Sequence, residues 1–180
     1  MNRNAAQETV HYTIEPSPIG QLLIAAIGRD IVRVAFHNQD FQKILAELQT
    51  QFSGNVMRDD RALAFATTQF QEYFRGVRTE VQLRTRRPEE DGFWLQAQRQ
   101  LATIPYGQTR SYGEFAAQLD RPGAARAVGS ACAKNPIPLI QPCHRVVRAD
   151  GTIGEFSGTP AAKNYLLAFE RGEAPHAPAS

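Results

Sequence analysis

The segment Asn135-Pro136-Ile137-Pro138-Leu139-Ile140-Gln141-Pro142-Cys143-His144-Arg145-Val146-Val147 sets a thiol beside an imidazole in a proline-rich frame. Cysteine is a nucleophile only as the thiolate, which near neutral pH needs a proton acceptor and positive surroundings. His144 and Arg145 are the nearest residues able to supply them. Pro136, Pro138 and Pro142 fix φ and predict an extended, rigid path. Neighbours on an extended chain point to opposite sides, so His144 is expected to reach the thiol through a water or a bend. Cys132, in an alanine-rich stretch, reads as a small buried hydrophobe. Cys143 is instead expected to be presented, charged and unhindered.

Other chemistries fail on the residues. Gly154-Glu155-Phe156-Ser157-Gly158 puts its serine one place too late for a G-x-S-x-G elbow. No P-loop, G-x-G-x-x-G or H-E-x-x-H occurs. Two cysteines are too few for a disulfide scaffold or a four-cysteine zinc site, and His11, His37, His144 and His176 are scattered. The cysteine usage fits a reducing, cytoplasmic setting. With 42% hydrophobic and 21% charged residues the chain reads as globular rather than disordered. It has no apolar run long enough to span a bilayer, and Met1 to Glu8 lacks the apolar core of a secretory signal.

Something must position Cys143, and the second half supplies candidates. Phe93 to Thr103 reads as a helix. Ser111-Tyr112-Gly113-Glu114 has the form of a capping box opening a helix from Tyr112 to Leu119. Pro122 is expected in the first turn of the next helix, Ala124 to about Ala133, which must stop before Asn135-Pro136. Two short helices joined by a tight turn predict a helix-turn-helix. A further helix is expected over Ala161 to Arg171. Residues 99–148 carry seven basic side chains against Glu114 and Asp120, whereas residues 1–90 balance to zero. That +5 segment suits either a phosphate-facing surface or a merely solvated one. Ala124 to Ala131 is unusual for a reader of base edges: its side chains are small, with Arg126 the single long cation.

The first half reads as α/β. Strands are expected at Val10 to Ile14, Leu22 to Ile27 and Ile31 to Phe36, separated by turns at Ser17-Pro18-Ile19-Gly20 and Gly28-Arg29-Asp30. Helices are expected over Phe41 to Phe52 and Arg61 to Phe74. The fold class is thus an α/β N-terminal domain, a small antiparallel sheet with helices, followed by a mainly helical domain. At a length of 180 residues, the expected boundaries are 1–85, a charged Pro/Gly linker at 86–92, 93–173, and a loose tail at 174–180.

Pro142-Cys143-His144-Arg145-Val146 resembles the active-site motif of the O6-alkylguanine-DNA alkyltransferases, also called methylated-DNA–protein-cysteine methyltransferases. Ile104-Pro105-Tyr106-Gly107 with Ser111-Tyr112, Ala125-Arg126-Ala127-Val128-Gly129, Asn135-Pro136, Gly151 to Gly158 and Lys163 to Glu170 also match, in order and at the family's spacing. The likeness covers residues 100–171, and Ser17 to Gly20 resembles the N-terminal domain.

The resemblance implies a DNA repair protein that takes the alkyl group from O6-alkylguanine onto Cys143, once and irreversibly. It implies a relay of Cys143, a water, His144 and Glu170, with Tyr112 donating toward guanine N3. Asn135 takes the place of a hinge asparagine, and backbone groups around Cys143, Val146 and Ser157 would recognise the base. Arg126 would fill the gap left by a flipped nucleotide, and Ala125, Ala127, Gly129 and Ser130 would lie against the minor groove of double-stranded DNA. No cofactor, no metal and no membrane partner are implied. The chain lacks the cysteines near the N-terminus through which some members hold zinc. A monomer in solution is expected, with clustering on DNA left open. Two rivals remain at this point. One is a helix-turn-helix lesion-binding or regulatory protein with an incidental cysteine. The other is a cysteine hydrolase that turns over.

Overall fold

Residues 8–87 and 92–174 are described by a computed structural model of the chain. Apolar alternation in the first half builds β1 (Val10–Glu15), β2 (Leu22–Ile27) and β3 (Asp30–Phe36), paired antiparallel in sequence order. Side chains on a strand alternate between faces, so β2 feeds two cores at once. Leu22, Ile24 and Ala26 pack with Phe70, Tyr73 and Phe169, while Leu23 and Ala25 pack with Ile44 and Leu48. The first of these faces is covered by α2 (Ala64–Phe74), the second by α1 (Phe41–Gln51). The α1 helix is capped by Asp40, whose carboxylate accepts from Lys43 N at 3.1 Å.

Three features depart from the sequence expectation. A fourth strand, β4 (Val56–Arg58), pairs parallel to β1 and makes the sheet mixed, in the order β3-β2-β1-β4. The α2 helix starts at Ala64, because Arg61 to Leu63 form a turn in which Asp59 accepts from Ala62 N at 2.9 Å. Arg86, the first residue of the expected linker, still runs along β3 with Arg84: Ile31 N donates to Arg84 O at 2.8 Å and Arg86 N to Ile31 O at 2.9 Å. Positions 88–91 of the expected linker lie outside the described residues, as do the start of the chain through residue 7 and all of the expected tail after residue 174.

The second half contains α3 (Phe93–Gln100), extended by a 3₁₀ turn at Leu101–Thr103, then α4 (Tyr112–Gln118), α5 (Ala125–Ala133) and α6 (Pro160–Glu170). The capping box is formed: Glu114 N donates to Ser111 Oγ at 3.1 Å and Ser111 N to Glu114 Oε2 at 2.7 Å. Pro122 does not enter α5. It precedes Gly123, whose φ of +92° reverses the chain, and the helix begins only at Ala125. A two-residue parallel pairing joins β5 (Arg110–Ser111) to β6 (Val146–Val147), holding the start of α4 against the residues that follow Cys143.

The two halves share a core. Ile137, Leu139, Ala162, Leu166 and Phe169 belong to the same cluster as Ile24, Phe36, Phe70 and Tyr73. Val34 N also donates to Pro136 O at 2.8 Å, so the sheet edge grips the segment leading to Cys143.

Candidate active site

The proline-rich segment is folded, not extended. Gln141 N donates to Ile137 O at 3.0 Å, closing a turn in which Leu139 takes a left-handed φ of +72°. Such a conformation is costly for a branched residue and persists because burial holds Leu139 in place. Asn135 braces the turn at both ends: its side chain donates to Gln141 O at 2.7 Å and accepts from Ile137 N at 3.1 Å. Cys143 to Arg145 then form a 3₁₀ turn, which replaces the extended geometry expected around the thiol.

Behind Cys143 lies a buried polar cluster centred on Glu170. His144 Nε2 stands 2.7 Å from Glu170 Oε1. Burial opposes ionisation of Glu170, but the His144 and Arg145 contacts outweigh it and hold the carboxyl well below the usual carboxylate range. An ionised carboxylate only accepts, so Nε2 carries the proton and Nδ1 keeps its lone pair. Nδ1 is buried without a hydrogen-bond partner among the described residues, leaving it free to take a proton. Burial also lowers the His144 pKa, against the pull of Glu170, so the ring rests neutral.

Arg145 departs from its expected part. Its guanidinium grips Glu170 in a fork, Nε to Oε2 and Nη2 to Oε1 both at 2.9 Å, and Nη1 donates to Ile104 O at 2.7 Å. Its charge is therefore spent on the carboxylate and not offered to the thiol. Gly107 N adds a donor to Glu170 Oε2 at 3.1 Å; with φ at +74°, and a Cβ that would fall 3.0 Å from Glu170 O, this position requires glycine.

The cation that does face the thiol is Lys163, which sequence reasoning left without a role. It is fully buried on α6, donating to Val146 O at 2.6 Å and Glu155 O at 3.1 Å. Its field favours the Cys143 thiolate, as do the Asn135 and Ser157 side chains near the sulfur. Nevertheless burial dominates and pushes the thiol pKa up. The expectation of a presented, charged sulfur is overturned: Cys143 has 0% of its surface exposed. It is a free thiol, not joined to Cys132, which is buried as expected.

What lies over this region is specific. The Tyr112 ring packs against the cluster that holds Cys143, and its hydroxyl donates to Glu155 O at 3.0 Å. A side chain at Gly154 would collide with that ring, so glycine there permits the close approach of the Gly151–Gly158 segment. Beyond Tyr112 a cleft of about 510 Å³ runs beside α5, lined by Ala125, Arg126, Gly129 and Ser130 on one side and Gly154 and Glu155 on the other. Lys134 and Arg148 make it basic. Ala127 is half-buried and does not line it. Among the predicted residues, Cys143, His144, Asn135, Val146 and Glu170 are thus brought to one buried centre, with Tyr112 and Ser157 at its edge and the α5 residues outside.

No group of histidine, cysteine and acidic residues among the described residues could hold a metal ion. No helix of the described residues is long and apolar enough to cross a membrane.

Comparison with known proteins gives a consistent picture. Residues 92–172 match the family described as 6-O-methylguanine DNA methyltransferase, DNA binding domain, and residues 10–86 match its ribonuclease-like domain. A methylated-DNA–protein-cysteine methyltransferase of Mycolicibacterium paratuberculosis is 42% identical, covering 95% of this chain and 96% of its own. The constitutive enzyme of that name from Bacillus subtilis is 32% identical over 89% of this chain and 95% of its own. The crystal structure of Mycobacterium tuberculosis OGT in complex with DNA superposes with a TM-score of 0.78 at 38% identity, covering 92% and 95% of the two chains.

Proposed function

The chain belongs to the 6-O-methylguanine DNA methyltransferase family, and from that premise we propose how its residues divide the work. The protein repairs DNA by transferring an alkyl group from O6-alkylguanine to one of its own cysteines. Cys143 is that cysteine. The observation that carries the assignment is the neutral His144 ring behind it, with Nε2 fixed on Glu170 at 2.7 Å and Nδ1 left as a base.

The thiol proton passes to His144 Nδ1 through a bridging water, and the sulfur attacks the alkyl carbon in line with the C–O6 bond. The S–C bond forms as the C–O6 bond breaks, its electron pair leaving on guanine O6. The proton held by His144 finally returns to the guanine anion, so the balance closes without a cofactor. Tyr112 donates a hydrogen bond toward guanine N3 and stabilises the leaving anion. Burial raises its pKa, which keeps it a donor throughout. The resulting thioether has no route back to a thiol, so each protein acts once.

A guanine cannot meet a sulfur that is fully covered. In this reading the Gly151–Gly158 segment swings aside to admit the base, breaking the bonds from Tyr112 Oη and Lys163 Nζ to Glu155 O. The base arrives flipped out of double-stranded DNA held by its minor groove, with Arg126 in the vacated stack and the small residues of α5 allowing close approach to the backbone. Val146 O, although it accepts from Lys163, retains a second lone pair for the exocyclic amine of guanine. The protein is a monomer in solution.

Cys143→Ala tests the assignment: it abolishes uptake of label from O6-methylguanine DNA while duplex binding is kept. Label uptake by that variant would overturn it. Repeated turnover of an ester or amide would support a hydrolase instead.

A further inference from the structure

We propose that Tyr73, in the N-terminal half, is a positioning residue for the transfer: its hydroxyl holds the Glu170 carboxylate in the orientation that aims it at His144. The inference rests on the reading of Cys143, His144 and Glu170 given above. It assigns the first half of the chain a part in the chemistry carried by the second.

The Tyr73 hydroxyl donates to Glu170 Oε1 at 2.7 Å across 97 positions of sequence. Oε1 is the same oxygen that receives His144 Nε2 at 2.7 Å and Arg145 Nη2 at 2.9 Å. Oε2 receives Arg145 Nε and Gly107 N. A carboxylate offers about four lone-pair sites, so these donors saturate it and leave no free rotation. The strongest is the Arg145 fork, which by itself draws the carboxylate toward the guanidinium. Tyr73 supplies Oε1 with a neutral donor from a separate element, α2.

Its ring cannot follow the carboxylate if it turns. Tyr73 is 2% exposed and wedged edge-on against Phe74 and Tyr106, with centroids 5.2 and 6.2 Å away, and tilted against Phe169 at 5.5 Å. Burial and the Glu170 charge both raise its pKa, so the phenol remains a donor at every working pH. Loss of this one bond frees Oε1 to settle on Arg145 and lengthens its contact with His144. The imidazole then becomes a weaker base for the thiol proton.

Tyr73→Phe removes one oxygen and keeps every ring contact. Single-turnover transfer from a saturating O6-methylguanine duplex is expected to slow about tenfold, the order seen when a partner orienting a working side chain is lost. The midpoint of its rate–pH curve falls, because a weaker imidazole base is already neutral at lower pH. In a Glu170→Gln background the same substitution changes the rate less than about twofold, because the group it acts through is already lost. Equal slowing in both backgrounds, an unmoved midpoint, an unchanged rate, or a variant that does not fold would each overturn the proposal and leave Tyr73 a core residue. Failure of the unaltered protein to take up the methyl group on Cys143 would instead overturn the reading on which it rests.

Discussion

Lys163 Nζ donates a 2.6 Å hydrogen bond to the carbonyl oxygen of Val146, three residues past the proposed nucleophile. A fully buried ammonium with its donors directed at main-chain oxygens is both a brace and a fixed positive charge. Lys163→Met takes that donor from the buried carbonyl of Val146, at about 1–3 kcal/mol for a buried group left unpaired, whereas the carbonyl of Glu155 keeps Tyr112 Oη. Since the lysine lowers the Cys143 pKa, its loss raises it. That rise leaves less thiolate and slows transfer at a pH below the midpoint, by roughly tenfold for each unit of the rise that the curve reads. Rate–pH curves of the two proteins check both the direction and the size.

Arg126 lines the cleft beside α5, outside the buried centre. Arg126→Ala is therefore expected to slow transfer from duplex DNA more than transfer from a free alkylguanine. Parallel single-turnover assays on the two substrates make the comparison. Equal slowing removes the arginine from base extrusion and leaves it a charge on the surface.

Glu170 carries a pH signature in stability. Its folded pKa lies below the unfolded value of about 4.3, so folding gains from its ionisation above that pH and loses the gain as pH falls toward the folded pKa. Thermal melts from pH 7 downward should show a fall in Tm that begins near pH 5 and that Glu170→Gln flattens. The variant starts lower at pH 7, because removing one partner from the buried ion pair with Arg145 costs about 3 kcal/mol or more.

Much of this site was legible in the residues. The capping box at Ser111 and Glu114, the three antiparallel strands and the thiol–imidazole neighbours all declare themselves within short windows. What stayed hidden depends on distant partners. Val56–Arg58 is three residues long and becomes a strand only because β1 offers its edge. A lysine at 163 or a tyrosine at 73 reads as a helix residue until α6 and α2 close on the same centre. The turn at Leu139 was hidden for another reason: prolines predict a fixed φ at their own positions but not the left-handed residue between them. The burial of Cys143 was missed because composition shows a charged neighbourhood, while Arg145 in the fold turns to Glu170.

Tyr112 has two separable parts. Tyr112→Phe removes both the donor proposed for guanine N3 and the bond to Glu155 O. Transfer should slow about a hundredfold, in the range of a lost hydrogen-bond donor to a developing anion. Alkylation of the thiol by iodoacetamide should not slow, since that reagent needs access and not a donor. Slowing of both reactions to the same degree would place Tyr112 in thiol activation instead.

The most direct measurement is intact mass before and after incubation with a duplex oligonucleotide holding one O6-methylguanine, followed by peptide mapping. The expected result is a gain of about one methylene per protein chain, in keeping with a covalent, single-hit transfer, located on Cys143 and reaching a limit of one. An unchanged mass with the methyl group still on the DNA, or a modification mapped to Cys132, would contradict the account.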